Sequence, residues 1–130
     1  MKPDYTFLLI EDNVIDQLVT TKLLKNTLGH FNINIVSNGK EGIEWLYEYQ
    51  SNFSESLIIL LDIKMPEMDG FEFLSHYELL PDEVKSTTEI FMLSSTIDSN
   101  DIKKANENSY VKKLFSKPLP VQQFKEMIAD

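Results

Sequence analysis

Residues 57–62, Leu57-Ile58-Ile59-Leu60-Leu61-Asp62, run without a polar side chain until the last, which is an acid. Consecutive apolar residues with no alternation describe a strand covered on both faces, and such strands belong to parallel sheets whose crossovers lay helices over both sides. Tyr5 to Ile10 forms a similar run that stops at Glu11-Asp12-Asn13, and Ile90-Phe91-Met92-Leu93 stops at Ser94. Phe31, Ile33 and Ile35 alternate with Asn32 and Asn34, which predicts a strand with one wet face at a sheet edge. Val111 to Ser116 carries Lys112-Lys113 ahead of Leu114-Phe115, less completely apolar, and is expected at the opposite edge.

Between these strands lie segments with helical spacing. Val14, Leu18, Thr21, Leu24 and Leu28 mark a first helix, with Asp12 or Asn13 as its cap and Gly29 as its stop. Ile43, Leu46 and Tyr47 mark a second; Phe71, Leu74 and Tyr77 a third, over Gly70–Leu80; Ile102 and Ala105 a fourth, over Asp98–Glu107; Val121, Phe124 and Ile128 a fifth, over Val121–Ala129. The order is βα repeated five times, which predicts a parallel sheet with right-handed crossovers and helices on both faces. Ligands of such sheets bind outside the carboxyl ends of the strands.

The chain has 130 residues, enough for one sizeable core and not for two, so a single domain over residues 1–130 is expected. Hydrophobic residues make up 42% and aromatics 11%, which argues against disorder, and no apolar run approaches the roughly 18 residues of a membrane span. The N-terminal stretch turns acidic at Glu11, too soon for a secretory signal, and a cytoplasmic location is the expectation. With no cysteine, any metal must be held by oxygen. A net charge of −9 with no arginine argues against direct nucleic-acid binding, which depends on clustered Lys and Arg.

If the sheet is parallel, Glu11-Asp12 after the first strand, Asp62 after the third, Ser94 after the fourth and Lys117 after the fifth share one edge. Taken singly these are a loop with a helix cap, a turn residue, a strand-terminal hydroxyl and a surface lysine. Together they are a pattern. Three crowded carboxylates resist ionisation unless a cation compensates them, and a hard ion such as Mg²⁺ prefers a few carboxylates with water and phosphate oxygens. The arrangement points to a metal-assisted phosphate site.

Four strings resemble the bacterial two-component response-regulator receiver domain, in order and over nearly the whole chain: Leu8-Leu9-Ile10-Glu11-Asp12-Asn13; Leu60-Leu61-Asp62-Ile63-Lys64-Met65-Pro66 with Met68-Asp69-Gly70; Met92-Leu93-Ser94-Ser95; and Ser116-Lys117-Pro118-Leu119. The resemblance implies an α/β fold of (βα)5 type, a doubly wound, parallel five-stranded sheet in the order 2-1-3-4-5, flavodoxin-like or CheY-like, standing alone. It implies a signalling switch that is not an enzyme but assists its own phosphorylation and dephosphorylation. Asp62 would accept a phosphoryl group from a sensor histidine kinase or a phosphotransfer protein, with Mg²⁺ held by Asp12, Asp62, the backbone carbonyl of Lys64 and, through water, Glu11. Lys117 and the Ser94 hydroxyl would each serve a phosphoryl oxygen, and the Lys117–Pro118 peptide would be cis.

Receivers often carry a switching aromatic three positions before the lysine, and that position here is Leu114. Alternation points Phe115 to the other face, so switching by loop rearrangement without an aromatic flip is expected. Output would be docking to a downstream protein or phosphorelay, by a monomer or weak dimer. Two alternatives remain: a receiver-fold interaction module that takes up no phosphate, and a metal-dependent aspartyl-phosphate hydrolase. The hydrolase needs an acid two residues after its nucleophile, where this chain has Lys64. His30 and His76 read as surface residues, and the glycines in Gly39-Lys40-Glu41-Gly42 match no nucleotide-binding fingerprint.

Overall fold

In a computed structural model, residues 5–29, 32–49, 56–96 and 98–128 are described. The described residues form five strands, β1 (Tyr5–Ile10), β2 (Asn32–Val36), β3 (Ser56–Asp62), β4 (Thr88–Ser94) and β5 (Val111–Ser116). Six helices lie between and after them: α1 (Val14–Leu28), α2 (Gly39–Tyr49), α3 (Gly70–Tyr77), α4 (Asp82–Ser86), α5 (Ser99–Glu107) and α6 (Val121–Ile128). All strand pairs are parallel, in the order β2-β1-β3-β4-β5. The chain therefore has the doubly wound α/β fold that its uninterrupted apolar runs predict.

Alternation along the strands divides the core into two layers. Leu8, Ile10, Leu57, Ile59, Leu61, Ile90 and Met92 face a layer completed by Leu46 of α2, by Phe73, Leu74 and Tyr77 of α3, by Val84 of α4 and by Ala105 of α5. Phe7, Leu9, Ile58, Leu60, Phe91 and Leu93 face the other, closed by Leu24 of α1 and by Phe124 and Ile128 of α6. A helix layer on each side removes water from both faces of β1, β3 and β4, which is why those segments need no polar alternation.

The sheet edges behave differently from the centre. In β2, Ile33 packs against the α1/α6 layer and Val36 against the opposite one, but Ile35 is exposed and Asn34 is half-buried, its side-chain amide donating to the Phe7 carbonyl at 3.4 Å. The predicted clean division into wet asparagines and dry isoleucines does not hold, because a strand at the edge of a doubly covered sheet is only partly reached by the helices on either side. Phe31 and His30 lie outside the described residues. β5 closes the other edge, as expected, and its register slips between Ile90 and Phe91, whose partners are Val111 and Lys113.

The helices also depart from the periodicity reading in detail. In α1, Thr20 and Leu24 are buried and Leu28 packs against the same layer, as its spacing predicts, while Val14, Ile15 and Leu18 are exposed. Apolar residues surround this helix, so spacing alone does not choose its inner face. Asn13 caps it, accepting from the Asp16 backbone N–H at 3.0 Å, and Gly29 ends it at φ 87°. The helix expected over 70–80 stops at Tyr77, and after Pro81 a separate short helix, α4, brings Val84 into the core. Asp69 starts α3 through a reciprocal cap with Glu72, at 2.8 and 3.2 Å.

Candidate functional site

The site lies where β1, β3, β4 and β5 end. β3 is the central strand, paired with β1 and β4, so its last residue, Asp62, is walled in by the ends of both neighbours and is only 5% exposed. Immediately beyond, the chain is pulled tightly back: the Gly70 N–H donates to the Ile63 carbonyl at 2.7 Å. A Cβ on Gly70 would stand 2.7 Å from the Asp62 carbonyl oxygen, so the start of α3 can come this close to the aspartate's backbone only as glycine.

Glu11 follows β1 and is fully buried; Asp12, next in the chain, is exposed. Oxygens of Glu11, Asp12 and Asp62 converge to within 4.8 Å of one another, the one such acidic group among the described residues. Glu11 is fixed from several sides. Its backbone N–H donates to the Val36 carbonyl at 3.1 Å, its carbonyl accepts from Gln17 Nε2 at 2.7 Å, and its Oε2 accepts from the Asn13 N–H at 3.2 Å. Lys64 is an exposed residue in the loop after β3, two positions past Asp62.

Lys117 enters from the end of β5. Its backbone N–H donates to the Ser94 carbonyl at 2.9 Å, locking the two strand ends together, and the following peptide to Pro118 is cis. Its Nζ reaches Glu11 Oε1 at 2.6 Å, Asp16 Oδ2 at 2.9 Å and Asp62 Oδ1 at 3.3 Å. Ser94 is buried, but its hydroxyl is turned to its own loop, donating to the Thr96 carbonyl at 2.8 Å and accepting from the Thr96 N–H at 3.2 Å.

The electrostatics follow from crowding in a dry place. Burial pushes the Glu11 carboxyl up to about 7; the hydrogen bond from Lys117 opposes this and the Asp62 charge adds to it. Asp62 is likewise raised by burial, against the pull of Lys117. Burial pulls the Lys117 ammonium down, but its hydrogen bonds to Glu11 and Asp16 and the charge of Asp62 outweigh this and hold it above the ordinary lysine value. The cluster thus carries more negative groups than one lysine can balance. Three converging carboxylate oxygens are the donor set a hard divalent ion takes, so the residues present fit Mg²⁺.

Glu11, Asp12, Asp62 and Lys117, picked out from their strand-end positions, are therefore brought together, with Ser94 on the adjoining strand end. Sequence reasoning missed Asp16. An acid in the first turn of a helix has a sufficient local explanation in the helix dipole, and its lysine partner lies 101 residues further on. Leu114 is half-buried against the layer of α2, α3 and α5, whereas Phe115 is buried in the α1/α6 layer, as alternation requires. His76 is exposed, as expected.

Comparison with known proteins gives a consistent result. The family model described as response regulator receiver domain matches residues 7–129. Similar solved structures include a response regulator receiver protein from Dyadobacter fermentans, 30% identical, with a TM-score of 0.86, covering 95% of this chain and 94% of that one. A two-component response regulator from Cytophaga hutchinsonii is 28% identical with the same TM-score, 0.86, covering 98% of each chain. Among curated proteins, an osmosensing histidine protein kinase of Saccharomyces cerevisiae is 27% identical over 95% of this chain. The chain spans only 10% of that protein's length. Among the described residues no helix is long and apolar enough to cross a membrane.

Proposed function

Since the chain belongs to the response regulator receiver domain family, we propose that it is a phosphorylation-dependent switch of two-component signalling in which Asp62 takes up the phosphoryl group. The observation that carries this reading is the approach of Lys117 Nζ to Asp62 Oδ1, 3.3 Å, beside three carboxylates whose oxygens lie within 4.8 Å. One cation and an acid cluster that calls for a second cation flank one buried carboxylate. That is what phosphoryl transfer to a carboxylate requires, since the acceptor and the incoming group are both negative.

The donor would be a phosphohistidine of a sensor histidine kinase or a phosphotransfer protein. An Asp62 oxygen attacks phosphorus, the O–P bond forms as the P–N bond breaks, and the electron pair leaves with the imidazole. Asp12, Asp62, the Lys64 carbonyl and, through water, Glu11 would hold Mg²⁺, which would supply the charge that lets these carboxylates and the phosphoryl oxygens share the site. Lys117 donates to a second phosphoryl oxygen. Ser94 serves a third by giving up its bond to the Thr96 carbonyl, which releases the loop after β4 to rearrange. With Leu114 in place of an aromatic, that loop shift is itself the signal, and no aromatic side chain flips.

The protein is then a phosphoacceptor that assists its own phosphorylation and dephosphorylation. It works in the cytoplasm and passes the signal by protein docking or by onward phosphoryl relay. The competing reading is a receiver-fold module that binds partners without phosphate; the retention of Glu11, Asp12, Asp62 and Lys117 argues against it. The test is incubation with Mg²⁺ and acetyl phosphate, followed by intact mass, with Asp62→Asn and a metal-free sample as controls. Gain of one phosphoryl group only with metal and only with Asp62 present supports the proposal. No gain, together with no binding of beryllium fluoride, leaves the interaction module.

A further inference from the structure

Asp16 stands apart from the acids that converge on Asp62. It sits in the first turn of α1, where an acid is favoured by the positive helix end, and its backbone N–H is already capped by Asn13. Its carboxylate does something more. Oδ2 accepts from Lys117 Nζ at 2.9 Å, closer than Asp62 stands to the same ammonium at 3.3 Å. Lys117 thus donates to Glu11 and to Asp16, while Asp62 meets the same ammonium as an ion-pair partner at 3.3 Å.

Two of these three partners have another claim on them. Glu11 and Asp62 belong to the acid group that a divalent ion fits, and Asp62 is also the acceptor; Asp16 is outside that group. When cation and phosphoryl group engage Glu11 and Asp62, Asp16 is the partner that stays. A lysine ammonium is a point charge on a flexible stem, and its acceptors alone determine where it rests. On the α1 side of Lys117 there is also room to stray: a cleft of about 180 Å³ is lined by Val19, Thr20, Ser95 and Pro118 together with Asp16 and Lys117.

We propose that Asp16 is a positioning residue for phosphoryl transfer to Asp62, anchoring the Lys117 ammonium from the α1 side so that one N–H stays aimed at the phosphoryl oxygen. This rests on the reading of Asp62 as the phosphoacceptor. It adds a residue of α1 to the working site and makes the start of that helix part of the catalytic geometry.

The test follows phosphoryl gain by intact mass at saturating Mg²⁺ over a range of acetyl phosphate concentrations. Wild type is compared with Asp16→Ala, Asp16→Asn, Asp16→Glu, Lys117→Ala and the double variant Asp16→Ala/Lys117→Ala, each checked for folding by its urea midpoint. Removing a half-exposed ion pair should lower the saturating rate of Asp16→Ala about fivefold, with the half-saturating donor concentration nearly unchanged. Asp16→Glu should retain most of the rate and the nearly isosteric Asp16→Asn should not. In the Lys117→Ala background, read over longer incubation, removal of Asp16 should cost nothing further, because its action passes through that lysine. A wild-type rate in Asp16→Ala and Asp16→Asn, or an equal drop with and without Lys117, overturns the proposal while leaving Asp62 as acceptor. Failure of the wild type itself to gain phosphate removes both.

Discussion

Lys117 Nζ lies 2.6 Å from Glu11 Oε1, joining a fully buried acid at the end of β1 to a lysine 106 residues further along the chain. The pair does not settle the charge of the site, because the same ammonium is shared with Asp16 and Asp62. Burial, with the Asp62 charge beside it, pushes the Glu11 carboxyl up to about 7 despite the hydrogen bond from Lys117.

That raised value makes stability fall as pH rises. Between 4.5, its ordinary value, and about 7, Glu11 is protonated when folded and ionised when unfolded, so the folded state binds the extra proton and its advantage disappears as pH climbs through 7. Asp62 is shifted in the same direction, and the upward shift of Lys117 matters only above its ordinary 10.5. With chelator present, the urea midpoint should be lower at about pH 8 than at about pH 5, and Glu11→Gln should flatten the difference. A flat wild-type profile would contradict the assignment.

Adding Mg²⁺ near neutral pH should reverse this loss. At a concentration 100-fold above the dissociation constant the gain is about 2.7 kcal/mol, and a chelator should abolish it. Asp12 is exposed, so Asp12→Ala should leave the metal-free unfolding free energy within about 0.5 kcal/mol of wild type. The same variant should lose most of the Mg²⁺-dependent gain, measured as paired urea melts with and without the ion.

Gly70→Ala should be costly despite adding a single methyl group. The new Cβ would stand 2.7 Å from the Asp62 carbonyl oxygen and 3.1 Å from the Ile63 Cα, backbone atoms that cannot move aside as a side chain would. A loss of about 2 kcal/mol is expected, with slowed phosphoryl gain as Asp62 shifts. A midpoint equal to wild type would show that the loop has slack.

Glu67 is a non-glycine residue at φ 69°, in the loop between β3 and α3. A side chain in this region carries steric strain, which asparagine tolerates better than glutamate. Glu67 is exposed, so Glu67→Asn should raise stability by about 0.5 kcal/mol. Equal or lower stability in equilibrium unfolding would count against strain at this position.

Much of this protein is legible in one dimension. The apolar runs ending at Ile10, Asp62 and Ser94 predict strands covered on both faces, and the polar residues at their ends predict which edge carries the site. Both readings depend on local pattern, since burial of a strand on two sides leaves no room for polar alternation along it. The resemblance in four separated strings supplies the strand order. Spacing was a weaker guide where apolar residues surround a helix, as at Val14 and Leu18 of α1, or where an edge strand is half-covered, as at Asn34 and Ile35.

What only the tertiary structure decided is who shares Lys117. Asp16 carries no local mark that separates it from any acid at a helix start, and its partner is 101 residues away. The same holds for the proton on Glu11: its upward shift comes from burial beneath converging strand ends and from a neighbour, Asp62, 51 positions distant in the numbering. Hydrophobic periodicity is a property of consecutive residues, and it specified the strands and helices. Desolvation and the sharing of one ammonium among three carboxylates depend on distances that exist only once β1, β3 and β5 lie in register, and no stretch of sequence contains them.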